Sequence, residues 1–293
     1  MFPYRSFIVY GSAVLSLTVL LLAFSPALLR AAEPSAFDGH SRAAEADALW
    51  EKLHGNTALP ESADDPELAA MMKKYVYGDI AAQCILPPAD RALVTLAVLT
   101  VNQNRALLAR AADEALTLGC RPLQVRETLY QLAPYIGFAK VFEALGPVNE
   151  VFRRRGIRLP LESQGTVTDD NRFEKGLGLQ VRTYGDGIGR MRAAAPKEQK
   201  HLQDDLSAFC FGDIYTRRGL DMKTREMITM AAIGAMGGAD AQFSAHTAGY
   251  LAAGASPAEA AAVITAMNPW IGFPRTLNCL ALAQKAIQSR SRQ

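Results

Sequence analysis

Cysteine is scarce in this 293-residue chain, which has four, at Cys84, Cys120, Cys210 and Cys279. No two of them form a C-x-x-C pair, which excludes a vicinal redox dithiol and a cysteine-rich zinc site. They are also too few and too dispersed for a disulfide scaffold. Excess charge of one sign is missing as well. Lys and Arg number 31 against 29 Asp and Glu, a net charge of +2, so no basic surface of the kind that tracks nucleic-acid phosphates is expected. Histidine is limited to four positions, and His40, His54 and His201 are scattered without ligand spacing, so no metal site is expected. What is present suits a packed globular body: 49% hydrophobic and 20% charged residues, outside the range of a disordered chain. At about 100–200 residues per domain, the length fits one large domain or two small ones.

The N-terminus carries the one long apolar run. Ser6 to Leu29 is uncharged over 24 positions, flanked by Arg5 and Arg30. Such a run is long enough to span a bilayer. A positive start, an apolar core and an exit rich in small residues (Ala27, Ala31, Ala32, Ala36) also describe a secretory signal. Residues 1–36 are therefore read as a signal peptide or a membrane anchor. Arg5 favours a cytoplasmic N-terminus, so both readings place the body outside the cytoplasm: periplasmic or secreted, or attached to the membrane if the segment is retained.

The body is one pattern written twice. Tyr75–Val76–Tyr77–Gly78–Asp79–Ile80 returns as Phe209–Cys210–Phe211–Gly212–Asp213–Ile214, 134 positions later. At that offset Leu86 meets Leu220, Arg91 meets Arg225, Thr95 meets Thr229 and Ala97 meets Ala231. One extra residue then shifts the offset to 135, where Gly119 meets Gly254, Pro122 meets Pro257, Pro134 meets Pro269, and Ile136–Gly137–Phe138 meets Ile271–Gly272–Phe273. The copies are assigned to residues 37–160 and 165–293, with the boundary in the polar stretch Ser163–Asn171. Gly78–Asp79 and Gly212–Asp213 recur in both copies, which points to a role in the fold, expected as a turn with a helix cap.

Each copy reads as helices. Arg91–Leu99 and Arg225–Ile233 show almost no strand alternation. Asp240 is expected to cap a helix running through Leu251, with Gly254 as its left-handed stop. Ser256–Pro257–Ala258–Glu259 is a capping box with proline at the first helical position. Pro269 and Pro274 bracket Trp270–Ile271–Gly272–Phe273 and impose a break. The expected class is all-α, two tandem helical bundles.

The run Phe211–Gly212–Asp213–Ile214–Tyr215, then Thr224–Arg225–Glu226–Met227–Ile228–Thr229–Met230–Ala231, resembles the carboxymuconolactone decarboxylase family, which has the alkylhydroperoxidase D-like fold. Pro269–Trp270–Ile271–Gly272–Phe273–Pro274–Arg275–Thr276–Leu277–Asn278 carries the same resemblance. Asn171–Arg172–Phe173–Glu174–Lys175–Gly176 is similar to the family's N-terminal lead-in. The resemblance spans about residues 65–150 and 170–288. It implies small all-helical protomers that assemble as trimers or hexamers, so a tandem chain is expected to form a homo-oligomer, a trimer equivalent to a pseudo-hexamer.

Two chemistries are implied. One is decarboxylation of a carboxylated muconolactone, without metal or organic cofactor. The other is peroxide reduction by a C-x-x-C pair ahead of a histidine. His246 matches that histidine, but the cysteine positions hold Ala239 and Gln242, and the thiolate is the nucleophile. A decarboxylase needs a donor to hold the departing carboxylate or the lactone carbonyl, and an acid to protonate the enolate. His246 suits the second role. Glu226 occupies the position where the family commonly has an acid. Their counterparts in copy one are Ala111 and Ala92, so any catalytic pair is expected in copy two alone. Gln242 and Tyr250 lie one turn either side of His246 on the same helix face. Arg225 or Arg275 is suited to hold an anionic substrate.

A departure from the family is Gln242, where decarboxylases often carry glutamate; an amide orients a substrate but is no base. Structural alternatives stand beside these roles: His246 bonded to a backbone carbonyl in the core, Glu226 paired with Arg225 or Lys223 on a solvated face, Arg275 paired with Asp213, and Cys279 buried as a small hydrophobe. The leading expectation is a cofactor-free lyase acting on a small lactone or cyclic carboxylic acid. A non-catalytic binding or assembly protein of the same fold competes with it, and a peroxidase-like antioxidant ranks last.

Overall fold

The computed structural model describes residues 41–59 and 62–290. The segment expected to be a signal or anchor lies outside them. None of the described helices is long and apolar enough to cross a membrane.

The first half runs α1 (Arg42–His54), α2 (Pro66–Lys73), a π-helical segment (Lys74–Ile80), α3 (Ala81–Gln83), α4 (Pro88–Asn102), α5 (Arg105–Thr117), α6 (Pro122–Gln131), α7 (Ala133–Ile136) and α8 (Phe138–Arg154). The second runs α9 (Arg172–Tyr184), α10 (Gly187–Ala194), a 3₁₀ turn (Lys197–Gln199), α11 (Lys200–Asp205), a second π-helical segment (Leu206–Tyr215), α12 (Met222–Met236), α13 (Asp240–Ala252) and α14 (Pro257–Arg290). Among the described residues there is no strand, and the helix order is shared by the halves. Helix α14 breaks at Gly272 (φ 74°) where α8 begins after Gly137 (φ 84°). The two halves thus kink at the positions that the repeat aligns.

Local chemistry sets most boundaries. Gly119 and Gly254, at φ 95° and 94°, follow α5 and α13. Ser256 Oγ accepts from the Glu259 amide while the Glu259 carboxylate accepts from the Ser256 amide, so the expected capping box forms. Asp240 does not cap α13. It is the first helical residue, behind Ala239, and contributes a negative charge to the first turn.

The repeated Gly-Asp pair has a role other than the expected turn and cap. Both lie inside the π-helical segments, where a lead-in helix crosses at backbone contact. A Cβ on Gly78 would sit 2.4 Å from the Arg42 carbonyl oxygen, and one on Gly212 would sit 2.2 Å from that of Arg172. The adjacent aspartates then hold the first residue of the crossing helix. Arg42 meets Asp79 at 3.5 Å, and Arg172 donates to both oxygens of Asp213. Arg275 is therefore not Asp213's partner.

Helices α4 and α12 pack against each other at the centre, and α14 lies on α4 as α6 lies on α12. Each half's later helices thus cover the other's central helix, and from Ser41 onward the chain is one compact unit with a shared core. A buried ion cluster clasps the halves: Glu127 of α6 accepts two hydrogen bonds from Arg217, at 2.7 and 2.9 Å, and one from Arg126.

Candidate functional site

Helix α12 is buried over most of its length, so Glu226, on its second turn, has no solvent-exposed surface. A buried carboxylate needs partners. Two come from separate elements: His246 Nδ1 of α13 lies 2.8 Å from Glu226 Oε2, and the Tyr184 hydroxyl at the end of α9 donates to the same carboxylate at 3.0 Å. Tyr184 also lies 3.0 Å from His246 Nδ1. Burial, then the nearby Tyr215 and Glu226, push the Tyr184 phenol well above its ordinary pKa, so it remains a donor. With Nδ1 turned to Glu226, the imidazole has its Nε2 left for chemistry, and among the described residues that atom has no hydrogen-bond partner. Tyr135 meets the ring edge-on, centroids 5.3 Å apart. His246 is thus neither a core histidine on a carbonyl nor isolated, and Glu226 is not on a solvated face; Lys223 pairs with Glu259 instead.

The proposed substrate anchors are placed elsewhere. Arg225 is almost fully buried, donating to Gln131 Oε1 and to the Arg217 carbonyl, both at 2.6 Å. Desolvation lowers its pKa to about 10, and its geometry is that of a lock between the halves. Arg275 bonds the Ala235 carbonyl, nine residues along α12 from Glu226, and lines a cavity of ≈ 30 Å³ beside Cys279. Gln242 is exposed on α13. Tyr250 is packed in the core, where Glu259 and Asp90 are the carboxylates acting on it. Tyr184, absent from the expected set, completes the cluster. Its signal was its place at the end of the lead-in helix, which the repeat carries into contact with the Gly-Asp segment.

All four cysteines are buried and unpaired. Burial raises the Cys120 and Cys279 thiols to about 11 and the Cys210 thiol to about 12, far from the reactive thiolate range. Among the described residues no group of three or more His, Cys, Asp or Glu is placed to hold a metal.

The first half was expected to lack a carboxylate–imidazole pair, and it has one. Glu114 Oε1 lies 2.9 Å from His54 Nε2 and accepts from the Tyr77 hydroxyl at 2.6 Å. The repeat explains the exchange. Glu114 aligns with Gly249, and a Cβ on Gly249 would sit 2.5 Å from Glu226 Oε2. The same region therefore receives a carboxylate from α12 in one half and from α5 in the other. His54 stands in the register of Tyr184, 130 residues earlier. Comparing equivalent positions alone misses a group supplied by the facing helix.

The carboxymuconolactone decarboxylase family model matches residues 66–150 and 200–285, more than half of the chain and once in each half. The chain belongs to this family, as a tandem duplication. A curated relative from Paracoccus denitrificans, an uncharacterized 15.0 kDa protein encoded in the nqo9–nqo10 intergenic region, is 37% identical over 81 residues, 27% of this chain. The chain spans 60% of the length of that relative. A crystal structure from Burkholderia xenovorans LB400, provisionally assigned as a gamma-carboxymuconolactone decarboxylase subunit, aligns with a TM-score of 0.47 at 20% identity, covering 85% of this chain and 98% of that one.

Proposed function

We propose that this chain is a cofactor-free lyase of the carboxymuconolactone decarboxylase type acting on a small lactone or cyclic carboxylic acid, with His246 as its proton donor. The observation that carries the reading is the buried Tyr184–Glu226–His246 cluster, which leaves only Nε2 of the imidazole without a partner among the described residues. In such a reaction the C–CO₂ bond breaks, its electron pair passes into the lactone carbonyl as an enolate, and carbon dioxide leaves. A proton from Nε2–H then closes the carbon. Glu226, accepting from Nδ1–H, holds the ring orientation and steadies the imidazolium that gives the proton. No oxidant and no thiol enter the balance.

Self-assembly is part of the proposal. Phe138 and Phe142 of the first half align with Phe273 and Leu277 of the second, and all four are more than half exposed, at 55–69%. Paired apolar patches of this kind fit subunit contacts better than open solvent. The apolar segment after Arg5 supports an extracytoplasmic site of action.

The test is incubation of EDTA-treated protein with carboxymuconolactone and related lactone acids in deuterated buffer. The expected result is carbon dioxide release with one solvent deuteron in the product. Folded protein that releases none from any member of the series would turn the assignment to the binding or assembly reading.

A further inference from the structure

The region that holds Glu226 and His246 in the second half has an open counterpart in the first. A cavity of ≈ 40 Å³ is walled there by Tyr77, Arg91, Thr95, Glu114, Pro269 and Trp270, among others. At about 10–15 Å³ per water position, it admits roughly three waters, or the head and one or two carbons of a small ligand. Its origin is legible in the repeat. Three large side chains around the central helix of the second half, Tyr215 and Glu226 of that half and Gln131 of α6, align with Ala81, Ala92 and Ala266. Where Gln131 and Tyr215 close over Thr229 and Gln131 also takes Arg225, the equivalent positions around Thr95 and Arg91 carry only the methyl groups of Ala266 and Ala81.

Arg91 is the consequence. Its counterpart Arg225 is bound on two nitrogens, whereas among the described residues Arg91 makes one hydrogen bond, to the Ala81 carbonyl at 3.0 Å. Among the described residues it has no ion pair, although it is half-buried and desolvation lowers its pKa. The neighbouring carboxylate is already committed: Glu114 is engaged by His54 and Tyr77. Thr95, one turn along α4 and with a hydroxyl to donate, lines the same cavity, and Trp270 lines it from the other half. A half-buried guanidinium with uncommitted donors, a hydroxyl-bearing residue and an aromatic residue lining one cavity suit a carboxylate with a short carbon body.

We propose that the first half binds a small monocarboxylate, its carboxylate on Arg91 and Thr95 and its carbon body against Trp270, in the space that Gln131 and Tyr215 fill in the second half. This site is separate from the His246 chemistry and is read by binding, so its failure and the failure of the lyase assignment are distinguishable.

The experiment is calorimetric titration of the full-length protein with propionate, followed in parallel by tryptophan fluorescence, with propionamide as the uncharged analogue of the same shape. Two variants accompany it. Arg91→Gln removes the cation, and Ala266→Gln installs at the equivalent position the glutamine with which α6 closes the space beside Arg225. The expected result is saturable binding of propionate and not of propionamide, weakened at least tenfold in each variant. If Arg91→Gln does not fold, Ala266→Gln decides alone. The proposal is overturned if propionate does not saturate the wild type, if propionamide binds as well, or if Ala266→Gln binds propionate unchanged.

Discussion

Replacing Gly212 by alanine tests how the lead-in helix is held, and through it how the site is assembled. The new Cβ would meet the Arg172 carbonyl oxygen at 2.2 Å and its carbon at 2.9 Å. An ordinary carbon–oxygen contact needs more than 3 Å, so α9 must withdraw by about 1 Å, and both obstructing atoms are backbone. Overpacking of this kind costs about 1–3 kcal/mol, and a rigid obstacle places the change toward the upper end. Withdrawal also stretches the two-point contact between Arg172 and Asp213. At about 2–4 °C per kcal/mol for a body of this size, the midpoint of thermal unfolding followed by circular dichroism should fall by about 5–10 °C. Helix α9 carries Tyr184, so the same withdrawal draws the phenol from Glu226, and turnover should drop beyond what lost folded protein explains. Gly78→Ala should lower the midpoint in the same way through Arg42. Midpoints for both variants within about 1 °C of wild type would refute the close-approach role of the repeated glycines.

Replacing all four buried cysteines by alanine should leave turnover per folded molecule intact; loss of a peroxide-reducing activity in that variant would reverse the order of the proposed chemistries. Glu127→Ala leaves the Arg217 guanidinium without its carboxylate and should cost about 3–5 kcal/mol, read from denaturant titration; a cost under 1 kcal/mol would remove this cluster as a clasp between the halves. The Glu259 carboxyl is held down to about 2, first by its bond to Lys223 and then by the Ser256 amide. A depressed carboxyl stabilises above its unfolded pKa near 4.3 and loses that contribution as pH falls toward 2. Unfolding measured between pH 5 and 2 should therefore be less acid-sensitive in Glu259→Gln, and equal slopes would contradict the assignment. Charge placed on the paired apolar patches, as Phe142→Asp with Leu277→Asp, should shift the mass measured by light scattering toward the single chain; an unchanged mass would place the subunit contacts elsewhere.

The duplication, the all-helical class and the breaks at Gly137 and Gly272 were legible because backbone requirements write themselves into glycine and proline spacing. The Glu226–His246 contact was legible in part: their positions were matched, but only the crossing of α9 shows that Tyr184 joins them. Arg225 and Arg275 read as anion holders because a guanidinium can grip a carboxylate on two nitrogens. Packing instead gave Arg225 to Gln131 and Arg275 to a carbonyl. The first half's cluster was invisible to position-by-position comparison, since Glu114 reaches the same region from the opposite helix and His54 comes from a lead-in segment outside the aligned motifs. Exchange of a carboxylate between facing helices leaves no trace in either motif taken alone.

The most direct measurement of the central claim is the turnover number for carbon dioxide release from carboxymuconolactone, or from whichever lactone acid of the series is turned over fastest, by wild type and His246→Ala, each normalised to folded protein. With His246 as the general acid, the substitution should lower kcat by about 10²–10⁴-fold, while Glu226→Gln, which keeps the shape and removes the anion, should lower it by an intermediate amount. An unchanged kcat in folded His246→Ala would contradict the account.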